Sequence, residues 1–286
     1  MTRSTKISRR EILLAGGAAM SGAALPVTSA RGAGQGVPDA SGVCFLTPDI
    51  VDGPYYEDKA IVRQDITEGR KGIPLELRVR LVDLACRPIS GARVDIWQAD
   101  ALGIYSDFAH QGDDLSVATM GETFLRGTQM SDADGLVVFR TIYPGWYRAR
   151  TAHIHFKIYV GGRTRLTTQL FFPDALNEFI YTQVPGYTRS AIRDTLNVTD
   201  WILADASRAT LAQIKEEADR YIASIIYGVN PLATPAPSEK MPCPIEGLCV
   251  PNPNTPPPTD QRVAALIPSA VNAARPRAQK PALPPR

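Results

Sequence analysis

The fold of this chain is decided by a stretch near its middle that reads Ala152-His153-Ile154-His155-Phe156-Lys157-Ile158-Tyr159-Val160. Polar and apolar residues alternate along it, which is typical of a β-strand with one buried face. Because residues two apart in a strand point to the same side, His153 and His155 are expected to stand next to each other. On spacing alone, the pair fits either two ligands of one metal ion or an ordinary polar surface.

Short strands separated by turn residues are predicted on both sides of this stretch. The clearest covers residues 74–83, where Leu75, Leu77, Val79 and Leu81 alternate with polar residues. Other predicted strands cover residues 92–98, 123–129, 136–142, 166–172 and 221–229. Residues 174–199 are predicted to be irregular, and residues 206–219 have the composition of a helix. The pattern predicts an all-β fold, either a sandwich or a barrel, with long loops and little helix.

The two ends of the chain differ in composition from its middle. Residues 1–30 contain the pair Arg9-Arg10, a Gly/Ala-rich stretch and small residues up to Ala30, as a twin-arginine export signal does. A mobile basic terminus is the alternative interpretation. Residues 31–43 are predicted to be a flexible linker, and the Pro-rich residues 231–286 a tail of low order. We therefore expect a folded domain over residues 44–230, located in the periplasm or outside the cell.

The composition and charge argue against several classes of function. The chain has 286 residues, of which 44% are hydrophobic and 21% charged, with a net charge of +2. No basic run is interleaved with aromatic residues, which argues against nucleic-acid binding. No apolar stretch after residue 30 has the length that a membrane span needs, so none is expected in the mature protein.

The cysteines indicate an oxidising compartment. The chain contains four of them: Cys44, Cys86, Cys243 and Cys249. Four cysteines allow three pairings, and the sequence does not choose among them. A small local loop closed by Cys243 and Cys249 would leave Cys44 to pair with Cys86.

A set of ordered motifs carries a resemblance to a known family. In chain order these motifs read Gly53-Pro54-Tyr55-Tyr56, Asp95-Ile96-Trp97-Gln98-Ala99-Asp100-Ala101-Leu102-Gly103-Ile104-Tyr105-Ser106, Phe124-Leu125-Arg126-Gly127, Asp132-Ala133-Asp134-Gly135, Thr141-Ile142-Tyr143-Pro144-Gly145-Trp146-Tyr147 and His153-Ile154-His155. From about residue 44 to 230, the order resembles that of the intradiol ring-cleavage dioxygenases, the family of protocatechuate 3,4-dioxygenase and catechol 1,2-dioxygenase. The resemblance implies a β-sandwich of mixed or antiparallel strands.

The resemblance also implies a set of functional residues. A non-haem Fe(III) ion would be held by two tyrosinates and two histidines, which correspond here to Tyr105, Tyr147, His153 and His155. Arg150 and Gln169 would be catalytic, and Tyr147 would also take a proton from the substrate. Tyr55 or Tyr56 would line the substrate pocket. The substrate would be a catechol-type diol that O₂ cleaves between the two hydroxyls to a cis,cis-muconate.

These residue types suit that chemistry. A free tyrosine has a pKa of about 10, so a phenolate persists at neutral pH only beside a strong positive charge such as Fe(III). One Fe³⁺, two phenolates and one hydroxide sum to zero charge. A catechol that gives one proton to the hydroxide and one to Tyr147 keeps this sum at zero, so no net charge is left in a pocket of low dielectric constant.

Two departures from the family leave the substrate and the quaternary structure open. The loop from Tyr147 to His153 is shorter than in protocatechuate 3,4-dioxygenase. The N-terminal helical linker that dimerises catechol 1,2-dioxygenases is not recognisable, and a homo-oligomer of another kind stays open.

Two other functions fit parts of the sequence. The turn Pro88-Ile89-Ser90-Gly91-Ala92, followed by a strand, also occurs in transthyretin-like binding modules, which would need no metal. A zinc hydrolase built on His153, His155 and His110 is the second alternative. We interpret His110, in a polar loop, as a residue that does not bind metal, and Trp97 and Trp146 as packing residues.

Overall fold

The structure is a computed structural model that describes residues 44–206 and 208–234. Within these residues the elements are β1 (Pro74–Val82), β2 (Arg93–Trp97), β3 (Arg126–Met130), β4 (Leu136–Ile142), β5 (His153–Val160), β6 (Arg163–Phe171), α1 (Asp174–Gln183), α2 (Trp201–Ala206), a 3-10 turn (Arg208–Thr210), β7 (Gln213–Glu216) and β8 (Tyr221–Gly228). The predicted signal, the linker, the cysteine pair Cys243 and Cys249 and nearly all of the Pro-rich tail lie outside the described residues, and the domain boundaries stay a prediction.

The strands form two four-stranded sheets. One has the order β4-β1-β8-β7 and the other the order β3-β2-β5-β6. Only the β1–β8 pair is parallel among the strand pairs of the described residues. The prediction of an all-β sandwich with little helix is confirmed. In the described part of the chain, no helix is long and apolar enough to cross a membrane.

The core lies between the two sheets and follows the period-2 pattern of the sequence. From β1 it receives Leu75, Leu77, Val79 and Leu81, and from β5 Ile154, Phe156 and Ile158, all at most 2% exposed. The alternation that fills the core with these residues turns His153, His155, Lys157 and Tyr159 to the outer face of β5.

On this outer face the two histidines are buried and Lys157 and Tyr159 half-buried, because the N-terminal segment (residues 44–66) crosses the face from β6 to β3. Near β6, the Ile50 amide donates to the Thr167 carbonyl at 2.8 Å. Above β5, Asp52 forms an ion pair with Lys157 at 2.6 Å. At β3, the Thr128 amide donates to the Ile61 carbonyl at 2.8 Å. A disulfide between Cys44 and Cys86 fastens the start of the segment, which selects one of the pairings that the sequence left open.

One local prediction was wrong, and one segment that was ambiguous in the sequence contains a strand. Residues 174–183, predicted to be irregular, form α1, which buries Asn177, Ile180 and Tyr181 on one side. Residues 206–219, with a helical composition, contain β7 instead, which pairs as an edge strand with β8. In that segment Ile214 is only half-buried, so a helix would have had little apolar surface to bury, and strand pairing prevailed over propensity.

Candidate metal centre

The four predicted metal ligands meet at one point on the outer face of β5. The Nε2 atoms of His153 and His155 lie 3.0 Å apart. The hydroxyl oxygen of Tyr147 lies 3.2 Å from Nε2 of His153, and that of Tyr105 lies 3.4 Å from the same atom. Both histidines and Tyr105 are at most 2% exposed. Two phenol oxygens and two imidazole nitrogens therefore converge in a buried space.

The two tyrosines come from different loops that approach each other closely. Gly103, with a φ of +81°, lies against the carbonyl oxygen of Trp146, and an added Cβ atom would stand only 2.2 Å from that oxygen. Only glycine fits this position. The contact holds the loop that carries Tyr105 against the loop that carries Tyr147, and the two rings meet edge to face at 5.4 Å.

The two imidazoles are oriented by different means. Nδ1 of His153 is 2.7 Å from the Thr151 carbonyl oxygen, to which its N–H donates, so Nε2 keeps its lone pair for a metal. Nδ1 of His155 is buried and has no hydrogen-bond partner among the described residues. Instead, the ring of His155 stacks on the indole of Trp97 at 4.7 Å with an interplanar angle of 10°. Trp97 is thus a packing residue, as predicted, but what it packs on is a candidate ligand.

Burial keeps all four groups neutral in the metal-free protein. Desolvation, followed by the nearby Arg150 charge, lowers the pKa of both His153 and His155 well below the usual histidine value. Desolvation likewise raises the pKa of Tyr105 well above that of free tyrosine. It also raises the pKa of Tyr147, an effect that Arg150 partly offsets. A cation that binds here meets imidazoles with free lone pairs and must displace the phenol protons.

The donor set fits a ferric ion. Phenol oxygens and imidazole nitrogens are ligands that iron accepts, and the tyrosines can supply the negative charge that a trivalent ion needs. Within the described residues, no group of three or more His, Cys, Asp or Glu side chains is arranged to hold a metal. His110 is exposed, in a loop away from this convergence, so the zinc alternative lacks its third histidine.

The two predicted catalytic residues lie beside the four ligands and touch each other. Gln169 stands opposite His155 in the pairing of β5 with β6. Its Oε1 accepts a hydrogen bond from the guanidinium of Arg150 at 2.5 Å, and its Nε2 is buried without a partner among the described residues. Arg150 is also paired with Asp200, from Nε to Oδ2 at 2.9 Å, and both side chains are at most 5% exposed.

The structure separates the two candidate pocket tyrosines. Tyr55 stacks on Tyr105 at 4.3 Å and meets the ring of Tyr147 at 6.1 Å, so it borders the convergence of ligands. Tyr56 lies against Trp97 instead. Its hydroxyl is held by Asp95 at 3.0 Å and by Tyr159 at 2.6 Å. Tyr55 is therefore the better candidate for a substrate contact.

Several residues around the site were not found from the sequence. These residues act through tertiary contacts: Asp200 with Arg150 and Asp52 with Lys157. Gly53 lies close to His155, since an added Cβ atom on Gly53 would stand 3.3 Å from Cε1 of that ring. Gly53 carried a signal, since it opens the motif Gly53-Pro54-Tyr55-Tyr56. Asp200 carried none, because it lies in a segment without periodicity.

Comparisons of sequence and of structure with known proteins point to one family. A family model described as Dioxygenase matches residues 51–186. Among solved structures, the intradiol ring-cleavage dioxygenase from Tetranychus urticae superposes with a TM-score of 0.61 and 33% sequence identity, over 66% of this chain and 96% of that chain. The chain belongs to the intradiol ring-cleavage dioxygenase family. The resemblance drawn from the ordered motifs is thereby confirmed.

Two curated relatives from this dioxygenase family match the chain over part of their own length. The protocatechuate 3,4-dioxygenase beta chain of Burkholderia cepacia is 35% identical over 163 residues, which cover 50% of this chain and 66% of that one. The catechol 1,2-dioxygenase of Acinetobacter baylyi is 27% identical over 182 residues, which cover 54% of this chain and 57% of the relative. The chain thus spans between half and two thirds of these intradiol dioxygenases.

Proposed function

We propose that this protein is a non-haem Fe(III) dioxygenase that cleaves a catechol-type substrate between its two hydroxyls. One observation carries the proposal: two phenol oxygens and the Nε2 atom of His155 lie around Nε2 of His153, at 3.0 to 3.4 Å. The overall reaction joins one diol and one O₂ and opens the ring to a cis,cis-muconate-type diacid. Both oxygen atoms enter the product, so no external reductant is needed.

Tyr105, Tyr147, His153 and His155 would hold the ferric ion. When bound, the ion supplies Lewis acidity and the electronic coupling through which a bound catecholate reacts with O₂. His153 is prepared for this role because the Thr151 carbonyl fixes its Nδ1 proton. His155 is prepared because the indole of Trp97 fixes its ring plane.

The surrounding residues would bind the diol and manage its protons. With its own proton displaced by the metal, the phenolate oxygen of Tyr147 would receive one of the two protons that the diol loses, and the hydroxide would take the other. The adjacent Arg150 keeps the Tyr147 oxygen in a positive field. Arg150 then stabilises the negative charge that develops on the ring. Gln169, held through its Oε1, turns its Nε2 donors to the same space. Tyr55, stacked on Tyr105, supplies an aromatic wall.

The substrate, the location and the assembly belong to the proposal as well. Relatives named for catechol, protocatechuate and 6-chlorohydroxyquinol support a small aromatic diol as substrate. The disulfide between Cys44 and Cys86 fits an oxidising compartment and supports export through the twin-arginine motif of residues 1–30. A relative named as a beta chain supports assembly into an oligomer.

Iron reconstitution tests the function directly. Protein loaded with Fe(III) is expected to be red-brown from tyrosinate-to-iron charge transfer, to consume one O₂ per catechol and to release a muconate. Tyr105→Phe should weaken the colour and the activity, whereas His110→Ala, an exposed position, should leave both unchanged. A colourless protein with one iron per chain would refute the proposal, as would zinc in its place with metal lost in His110→Ala.

A further inference from the structure

The loop between two candidate ligands, Tyr147 and His153, has two unlike halves. Tyr147 is half-buried and Arg148 exposed, whereas residues 150–153 are buried. The halves meet at Ala149, a non-glycine residue with a φ of +66°. This left-handed conformation is unfavourable for alanine, so the surrounding structure must hold it in place.

Three polar side chains hold the second half of this loop. Asp194, Asn197 and Asp200 follow one another at intervals of three residues, and we call them the clamp. Asp194 accepts the Ala149 amide at 3.0 and 3.1 Å. Asn197 accepts the Thr151 hydroxyl at 2.8 Å. Oδ2 of Asp200 accepts the Thr151 amide and Nε of Arg150, each at 2.9 Å.

The clamp is itself anchored to the body of the fold. Nδ2 of Asn197 donates to the Phe172 carbonyl at the end of β6, at 2.7 Å. Oδ1 of Asp200 accepts the amides of Ile202 and Leu203 at 2.9 and 3.1 Å and so caps α2. A side chain that bridges a loop to a fixed element restricts that loop, so residues 149–151 are expected to be rigid.

We propose that the clamp positions Arg150, so that its guanidinium stays in place when the side chain of Tyr147 moves. The two backbones remain joined by the bond from the Arg150 amide to the Tyr147 carbonyl at 3.1 Å. This inference rests on the proposed function, in which Tyr147 takes a substrate proton. A protonated phenol is a weaker metal ligand than a phenolate, so the Tyr147 side chain would then make room for the diol. If Arg150 moved with Tyr147, the positive charge of Arg150 would move away from the negative charge that develops on the substrate ring. Because Asp200 holds Nε of Arg150, the guanidinium keeps its bond to Gln169 while Tyr147 turns.

Asp200→Asn tests this positioning role, with Asp83→Asn as a matched control. Asp83 has a similar pattern of bonds, since Oδ1 accepts two backbone amides and Oδ2 accepts an arginine, but it lies in the turn after β1, whereas Oδ2 of Asp200 also accepts the Thr151 amide. In iron-loaded Asp200→Asn, we expect kcat to fall 10- to 100-fold while KM stays within about threefold of the wild-type value. The charge-transfer band of the protein without substrate should stay unchanged, because the substitution does not alter the four ligands. Asp83→Asn should keep wild-type kcat, KM and spectrum.

Hydrogen exchange of the metal-free protein gives a readout that does not depend on turnover. The amide of Thr151, which donates to Asp200, should exchange at least tenfold faster in Asp200→Asn than in wild type, and the amides of β1 at the wild-type rate. If the wild type proves unable to cleave catechols, this exchange experiment still tests the clamp, so the two failures can be told apart.

Three results would overturn the inference. One is a wild-type kcat in Asp200→Asn, a second is an unchanged exchange rate, and the third is loss of the charge-transfer band of the protein without substrate, which would mean that Asp200 supports the ligands and not Arg150. Should Asp200→Asn fail to fold, Thr151→Val decides the question. It removes only the bond to Asn197, and a smaller loss of kcat, at least threefold with an unchanged band, is expected; no loss would refute the clamp.

Discussion

The indole of Trp97 lies parallel to the imidazole of His155, with the ring centroids 4.7 Å apart. Nδ1 of His155 has no hydrogen-bond partner in the described chain, so this stacking is what fixes the ring plane. Residues that orient a metal ligand commonly change metal affinity 10- to 100-fold when they are replaced. The orientation of His155 is therefore expected to depend on an aromatic residue at position 97.

Replacement of Trp97 by leucine or phenylalanine tests this dependence. Trp97→Leu should weaken Fe(III) binding by at least about tenfold, whereas Trp97→Phe, which keeps an aromatic face, should weaken it by no more than about threefold. Both variants also lose packing, so unfolding by urea is measured beside the iron titration. Equal iron affinities for the two variants would show that the stacking does not orient His155.

Gly53→Ala should disturb the same imidazole at its Cε1 edge. Gly53 has a φ of +74°, and an added Cβ atom would stand 3.3 Å from Cε1 of His155. Gly69, with a φ of +75° and nothing within 4 Å of such an atom, is the matched control. Both substitutions should lower the free energy of unfolding by about 1 kcal/mol through backbone strain. Only Gly53→Ala should weaken iron binding in a titration; a similar loss in Gly69→Ala would contradict the contact.

Tyr55 and Tyr56 are expected to differ in function although they are neighbours. Tyr55→Ala removes a ring that borders Tyr105 and Tyr147, so KM for catechol should rise. Tyr56→Phe removes a hydroxyl bound to Asp95 and Tyr159, so the free energy of unfolding should fall by about 1 to 3 kcal/mol with KM unchanged. Steady-state kinetics and urea unfolding of both variants check the assignment, which the reverse pattern would contradict.

The stability of the metal-free protein should fall with acidification because of His153 and His155. Burial lowers the pKa of both in the folded state, while in the unfolded chain it stays near about 6.5. Below pH 6.5 the unfolded chain therefore binds protons that the folded protein does not bind. Stability is unaffected by these groups above pH 6.5 and declines below it, by up to about 4 kcal/mol in total at pH 5.

Urea unfolding at pH 7.5 and at pH 5 measures this dependence. The double variant His153→Asn/His155→Asn is the comparison, because carboxylates elsewhere titrate equally in both proteins. The decline between the two pH values should be clearly smaller in the double variant. An equal decline would mean that the two imidazoles are not buried as neutral groups.

The disulfide between Cys44 and Cys86 should stabilise the N-terminal segment (residues 44–66), which covers the candidate metal site. These cysteines are separated by 42 residues, and a loop of this size corresponds to about 4 kcal/mol in the chain-entropy account. Cys44→Ser/Cys86→Ser should lower the free energy of unfolding by an amount of this order. It should also speed hydrogen exchange at Ile50, whose amide bonds to Thr167 across the outer face. Unfolding and exchange at wild-type values would contradict this role.

The agreement between sequence and structure is best where local spacing decides. The β4 strand was predicted over residues 136–142, as observed, and the strand with the two histidines differs by one residue at its start. Within such strands the two-residue period fixes which side chains share a face. Helix α1 was missed because its buried face does not follow its apolar residues: Asn177 is buried, whereas Phe179 is exposed. The burial of Asn177 depends on a distant partner, Tyr143, whose hydroxyl donates to its Oδ1 at 2.7 Å.

By itself, the sequence determined the sandwich and the candidate ligands. The period of two places His153 and His155 on one face, and the ordered motifs single out Tyr105 and Tyr147. Only the tertiary structure decided how these side chains meet, because the two tyrosines lie on loops that are held together by close contacts, of Gly103 with Trp146 and of Gly145 with Asp100. It also decided the disulfide, the cover of residues 44–66 and the clamp. These rest on contacts between residues more than forty positions apart, and no local pattern of side chains encodes such distances.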